Sequence, residues 1–231
     1  MIDFFYWPTP NGHKIAIMLE ETGLDYTVRP INMLTGEQFD PAFLKFSPNN
    51  KIPAIVDRDG PDGTPLSLFE SAAILIYLAE KSGRFLPTDT RGRFLVYQWL
   101  IFQAAHVGPM FGQCGHFLGY APERIPYAIE RYRNETLRLY GVMDRRLAEA
   151  AYLAGDYSIA DMAVYPWVLV RWLHQIDIDR FAHVKRWYAA VEARPAVKRG
   201  CALMADRMKI GDPDAAAREA LFGRQQLEQR R

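Results

Sequence analysis

The residues with a bearing on chemistry lie in two short stretches. Asn49-Asn50-Lys51-Ile52-Pro53-Ala54-Ile55-Val56 sets a lysine and an Ile-Pro bond at the mouth of an apolar strand, and Leu66-Ser67-Leu68-Phe69-Glu70-Ser71-Ala72 runs a second strand into a helix start. Proline at the first position of a strand removes no ladder hydrogen bond. An Ile-Pro bond in a tight turn is also a candidate for the cis form, which would turn the Ile52 N–H and C=O outward to pair with an extended peptide. A helix beginning at Ser71 offers free N–H groups and the positive end of its dipole to a carboxylate. The neighbouring Glu70 side chain can hold an ammonium group. Together the two stretches describe a ledge for a small peptide that carries both an α-carboxylate and an α-amine. Taken singly, each feature is also ordinary punctuation of strands and helices.

The elements that must position this ledge follow from hydrophobic spacing. Residues 2–7 are aromatic and apolar and read as a buried strand, ended by Pro8 and Pro10. A turn at Thr9, Asn11 and Gly12 leads to a helix in which Ile15, Met18, Leu19 and Thr22 follow the i, i+3, i+4, i+7 rule, with Gly23 at its C-cap. Residues 26–31 read as a second strand, so the opening implies a parallel, right-handed crossover. Residues 36–47, with Phe39, Phe43, Leu44 and Phe46, suggest a short, partly irregular helix. Turn residues fill 57–63, so the strands on either side are expected to pair as an antiparallel hairpin. From Ser71, the residues Leu75, Leu78 and Ala79 mark a helix ending near Gly83.

Beyond residue 84 the pattern is helical. Pro87 bars a helix and Asp89 or Thr90 can cap the next one. A helical stretch over 93–117 is interrupted at Gly108-Pro109, and 124–150 reads as a long amphipathic helix. Ser158 and Asp161 form a capping box, and the residues after it are apolar on every side, as in the buried centre of a helical domain. Asp161 as a catalytic acid is the alternative, but capping explains its spacing fully. Further helices are expected around Trp187, Tyr188 and Val191 and over 196–208.

Composition excludes several classes. The chain has 231 residues, 49% hydrophobic and 24% charged, and its 28 basic and 27 acidic side chains leave a formal charge of +1. Such a balance argues against nucleic acid and anionic membranes as partners. Cys114 and Cys201 lie far apart with no histidine cluster beside them, against a zinc site or disulfide framework and in favour of a reducing compartment. The longest apolar run, 162–170, is far short of the roughly twenty residues needed to cross a bilayer, and no charged leader precedes an apolar stretch at the start. The expectation is a soluble, cytoplasmic protein without a metal.

Three patterns then stand out together: Ser47-Pro48-Asn49-Asn50-Lys51-Ile52-Pro53, Leu68-Phe69-Glu70-Ser71 and Tyr157-Ser158-Ile159-Ala160-Asp161. In this order, and across residues 1–208, the chain resembles the cytosolic glutathione transferases. With Pro8-Thr9-Pro10-Asn11-Gly12 and Ile125-Pro126-Tyr127-Ala128-Ile129-Glu130-Arg131-Tyr132 added, it is similar to the bacterial Nu class, whose members act as glutathione-dependent disulfide-bond reductases. The resemblance implies an α/β thioredoxin-like domain over 1–83, a linker at 84–92, an all-α domain over 93–210 and a loosely packed tail at 211–231. It implies glutathione or glutathione disulfide as the ligand, as substrate or co-substrate, with a small disulfide or electrophile as the other partner and a homodimer as the assembly. It places Glu70 and Ser71 on the γ-glutamyl group, and Gln38, Lys51 and Ile52, at the Pro53 turn, on the glycyl and cysteinyl parts. Arg131 would reach the ligand from the partner subunit, and Thr9 and Asn11 would face the sulfur.

The thiolate is the nucleophilic form of a thiol whose ordinary pKa is about 8.5, so donors at the sulfur would activate it. On sequence alone Thr9 and Asn11 read first as turn residues between prolines; the resemblance makes them the expected catalytic pair. Tyr6 is a rival sulfur donor, although strand alternation favours core packing. No cysteine occupies the Thr9–Asn11 turn, so a two-cysteine mechanism is excluded and the attacking thiol would come from glutathione. His106, His116 and Cys114 can line an acceptor pocket or fill a core, and Arg131 can simply pair with a helical acid. Two further activities stay open: thiolate addition to an electrophile or cleavage of an ether or peroxide, and a non-catalytic binding or regulatory role.

Overall fold

The computed structural model describes residues 1–208 and 213–226. Its sheet is built on β1 (Ile2–Tyr6), whose Ile2, Phe4 and Tyr6 all point into the core. Beside it lies β2 (Tyr26–Pro30), parallel, with Phe4 opposite Val28, and on its other side β3 (Ala54–Asp57), antiparallel, with Phe4 opposite Ile55. The edge strand β4 (Leu66–Phe69) pairs antiparallel with β3, giving the order β2-β1-β3-β4. The parallel pair is joined by α1 (Pro10–Thr22), and α2 (Pro41–Leu44) and α3 (Ser71–Ser82) complete the expected order of strands and helices.

Local chemistry fixes where α1 begins. Thr9 is its N-cap, accepting from the Gly12 N–H, and Pro10 sits where a missing N–H costs nothing. Gly12 has no substitute there: a Cβ would lie 2.3 Å from the Trp7 carbonyl oxygen and 2.8 Å from the Tyr6 ring. The helical half packs onto α1 just as closely. A Cβ on Gly200 would meet the Ile17 backbone nitrogen at 2.8 Å, so glycine lets α9 (Pro195–Ala202) lie backbone to backbone against α1.

The helical half comprises α4 (Thr90–Phe102), α5 (Gly108–Gly115), α6 (Pro126–Glu149), α7 (Ile159–Leu169), α8 (Ala182–Glu192) and α9. The interruption expected at Gly108-Pro109 is a π-helical turn, residues Gln103–Val107, and not a break. Proline has no N–H to return to the carbonyl one turn back, so the helix widens and the Gly108 N–H reaches the Gln103 carbonyl instead. Helix α7 is buried along most of its length and opens on the expected capping box. The Asp161 carboxylate accepts from the N–H groups of Ser158 and Leu153 at 3.0 Å each and from the Trp187 indole at 2.8 Å. Its role is structural, and burial pushes its pKa up to about 6 against the pull of those donors.

One hydrophobic core runs from Phe4 and Ile15 through Leu75 to Phe111, Tyr140, Met162 and Trp187, so the sheet and the helices share it. A smaller cluster of Trp7, Phe43, Ile52 and Ala54 supports the ledge from beneath. Within the weakly apolar stretch after 211, Asp214 caps a further helix, α10 (Ala215–Phe222), with Ala217 and Ala220 buried. The expected domain end near 210 and the last charged residues, 227–231, lie outside the described residues. No described helix is long and apolar enough to cross a membrane.

Candidate active site

The ledge is held from within by Ser47. Its buried hydroxyl donates to the Lys51 carbonyl at 2.7 Å, and Asn50 takes a left-handed conformation, φ 49°, to turn the chain. The Ile52-Pro53 bond is cis, the form for which the sequence made it a candidate. The Ile52 side chain is buried in the cluster below, while its N–H and C=O make no backbone hydrogen bond among the described residues. They form an unpaired edge at which an extended peptide can bond.

At the other end of the ledge, Glu70 sits at the N-cap of α3 with φ 67°, a conformation unfavourable for a residue with a side chain. Its carboxylate makes no capping bond and is exposed, meeting the Asn49 amide at 3.4 Å. Behind it lies a residue that the sequence reading passed over. Lys14 of α1 is only 2% exposed, and its ammonium donates to the Ser71 hydroxyl at 3.1 Å and to Gln103 Oε1 at 2.7 Å. Burial lowers its pKa to about 7, with the Glu70 charge acting in the opposite sense. Lys14, Gln103, Glu70 and Ser71 line a cavity of about 480 Å³.

A second, larger cavity of about 1040 Å³ opens on the other side of the α1 N-terminus, lined by Thr9, Asn11, Gln38, Lys51 and Ile52. Asn11, Lys51, Gly112 and Trp167 border both cavities, so Asn11 stands between them. The Trp167 indole donates to Asn11 Oδ1 at 3.3 Å, which leaves both amide hydrogens of Asn11 free to donate elsewhere. Thr9 Oγ accepts from Gly12 in the cap, and its O–H proton is likewise uncommitted by that bond. Tyr6 takes no part: its buried hydroxyl donates to the Leu203 carbonyl and is shared with His13, and burial raises its pKa. Neither cysteine lines either of these two cavities. Burial pushes the Cys201 thiol up to about 12 and raises that of Cys114.

The fold therefore brings Thr9, Asn11, Gln38, Lys51, Ile52, Glu70 and Ser71 around two adjoining cavities, with Pro53 buried behind the turn. Arg131 stands apart on α6, exposed and 3.7 Å from Glu135 of the same helix. Gln38 is 2% exposed, with its amide donating to the Met33 and Ala220 carbonyls. Lys51 donates to Gln226 at 3.2 Å, and partial burial there lowers its pKa. These bonds tie the α10 segment to the ledge, and Ala217, Leu221 and Phe222 wall the larger cavity. Lys14, Gln103, Trp167 and Gln226 were missed. Only Lys14 left a signal, as a charge one turn before Met18 beside an apolar stripe.

The family model for the glutathione S-transferase N-terminal domain matches residues 9–81, and that for the C-terminal domain matches residues 115–195. Disulfide-bond oxidoreductase YfcG of Escherichia coli is 51% identical over 214 residues, spanning 92% of this chain and 98% of YfcG. A glutathione transferase family member from Pseudomonas fluorescens, solved with two glutathione bound, superposes with a TM-score of 0.84 at 47% identity, over 87% of this chain and 92% of that one. A glutathione transferase from Pseudomonas putida, with one glutathione disulfide bound per subunit, gives 0.83 at 45% identity, over 88% and 91%. With both halves matched and identity of this order along nearly its whole length, the chain belongs to the glutathione transferase family.

Proposed function

We propose that this protein is a homodimeric, glutathione-dependent enzyme that reduces small disulfides. The observation that carries this reading is the position of Asn11 between the two cavities, where donors of Thr9 and Asn11 are uncommitted while the chain's own thiols, Cys114 and Cys201, line neither cavity. The nucleophilic sulfur then has to arrive with the ligand. Glutathione spans the ledge: its cysteinyl backbone pairs with Ile52, its γ-glutamyl amine and carboxylate go to Glu70 and to the α3 N-terminus at Ser71, and its glycyl end lies toward Lys51 and Gln38. Its sulfur falls beside Thr9 and Asn11, whose donors favour the thiolate.

The thiolate attacks one sulfur of the acceptor disulfide. A bond forms between glutathione and that sulfur, the acceptor's S–S bond breaks, and its other half leaves as a thiolate that takes up a proton. A second glutathione thiolate attacks the mixed disulfide and releases glutathione disulfide and the second thiol. Each turnover oxidises two glutathione molecules and reduces one disulfide. The larger cavity, about 1040 Å³ and walled by Phe111, Trp167, Leu173 and Phe222, leaves room for the second molecule or the acceptor. That YfcG is named a disulfide-bond oxidoreductase, and that the Pseudomonas relatives hold two glutathione molecules or one glutathione disulfide, supports the same reading.

The test is a direct comparison of acceptors with glutathione as the reductant. Hydroxyethyl disulfide is expected to be turned over with stoichiometric glutathione disulfide, and far faster than an aryl halide is conjugated. Turnover of the aryl halide alone would make conjugation the activity. Absence of glutathione binding by calorimetry would leave a non-catalytic binding role.

A further inference from the structure

The smaller cavity holds a pair of buried polar groups that neither an N-terminal helix cap nor the core requires. Lys14 and Gln103 are 2% and 1% exposed. The Lys14 ammonium has three protons to donate, and two acceptors are present, the Ser71 hydroxyl and Gln103 Oε1. Because Gln103 Oε1 faces the lysine, its Nε2 must point the other way, and there it has no hydrogen-bond partner among the described residues. No salt bridge of Lys14 exists among the described residues either. A buried ammonium with no carboxylate in contact, only the charge of Glu70 near it, and a buried amide without an acceptor are each costly. Both border the cavity that opens on Ser71 and Glu70.

One kind of ligand group answers both deficits, a carboxylate: it brings negative charge and two strong acceptors. We propose that Lys14 and Gln103 form a buried carboxylate receptor behind Ser71, and that this receptor makes the site select ligands whose γ-glutamyl unit carries a free α-carboxylate. The inference rests on the glutathione reading given above and adds its basis for selecting that end of the molecule. The site is assembled from both halves of the chain, Lys14 from α1 and Gln103 from the π-helical turn. Docking of the helices on the sheet therefore completes it. Lys14 is a positioning and specificity residue, holding the Ser71 hydroxyl and supplying charge.

The experiment compares glutathione with its analogue in which the γ-glutamyl α-carboxylate is a carboxamide, by calorimetry and steady-state kinetics. It uses the wild type, Lys14→Met, Lys14→Gln and Gln103→Glu, each checked by thermal melting. The wild type is expected to prefer glutathione by about tenfold or more, the scale of a charged hydrogen bond. All three variants should lose that preference while their affinity for the carboxamide is held, the loss being read in Kd and KM for glutathione. Gln103→Glu keeps Lys14 paired and so guards against a simple failure to fold. A Lys14→Gln protein with wild-type preference overturns the proposal, because a neutral donor to Ser71 would then suffice. Equal weakening of both ligands by Lys14→Met also overturns it, since the role would be structural only. If the wild type binds neither molecule, the glutathione reading itself fails and takes this assignment with it.

Discussion

In the proposed reaction Thr9 does two jobs with one hydroxyl. Its oxygen caps α1 and its proton is available to a sulfur, so replacements separate the roles. Thr9→Val removes both and is expected to cost about 1 kcal/mol of stability as a lost cap. Together with Asn11→Leu it should raise the thiol pKa of bound glutathione by about one to two units and lower kcat/KM about 10- to 100-fold, as loss of a charged hydrogen bond predicts. Thiolate absorbance followed against pH reads the first effect, and Thr9→Ser should keep both properties. Lys14 carries the opposite cost, because burial depresses its pKa from 10.5 to about 7. Between those values the unfolded chain binds more protons than the folded one, so this residue's contribution to stability rises with pH across that window and is at its least favourable near pH 7 and below. The groups around it are Glu70, whose charge opposes the shift, the neutral Ser71 and Gln103, and Lys51 across the cavity. Lys14→Met is therefore expected to stabilise the ligand-free protein by about 1–4 kcal/mol at pH 7, with the gain over wild type fading toward pH 10 in thermal melts.

At the scale of elements, the capping box of α7 shows how a legible motif becomes a structural centre. Ser158 and Asp161 were readable from their spacing as a helix start. The sequence had no means of showing that the same carboxylate also satisfies Leu153 and the Trp187 indole, residues brought to it by α8 and the preceding loop. Asp161→Ala leaves these donors buried and unpaired, and is expected to destabilise by about 3 kcal/mol, a fall in Tm of roughly 6–12 °C for a chain of this size. Scanning calorimetry checks it. The π-helical turn is the counterpart on the functional side. Gly108-Pro109 announced a disturbance, yet only the packed helix shows that it widens and sets Gln103 against Lys14.

For the whole molecule, the homodimer proposed above gives a use to apolar side chains left in the open. Phe94, Ile101 and Tyr127 are 66%, 62% and 78% exposed, apolar area that a subunit contact would cover. A doubly charged Phe94→Glu, Ile101→Glu chain is expected to sediment as a monomer and to bind glutathione at least about tenfold more weakly, because Arg131 would no longer reach a neighbouring site. Arg131→Ala should remain a dimer and show the same weakening. A monomeric wild type in sedimentation would remove this role of Arg131.

What the sequence determined by itself was everything written in local spacing. The strand and helix order, the Ile-Pro turn, the helix start at Glu70-Ser71 and the capping box depend on residues a few positions apart, and that is the range over which backbone conformation is decided. What only the tertiary structure decided was the meeting of distant side chains: Lys14 with Gln103, Asn11 with Trp167, and Lys51 with Gln226. Each pair joins residues separated by at least 89 positions, so no periodicity records it. Their partners are chosen by the shared core that presses α1 against the helical half, and the buried charge of Lys14 has meaning only once that packing has taken the water away.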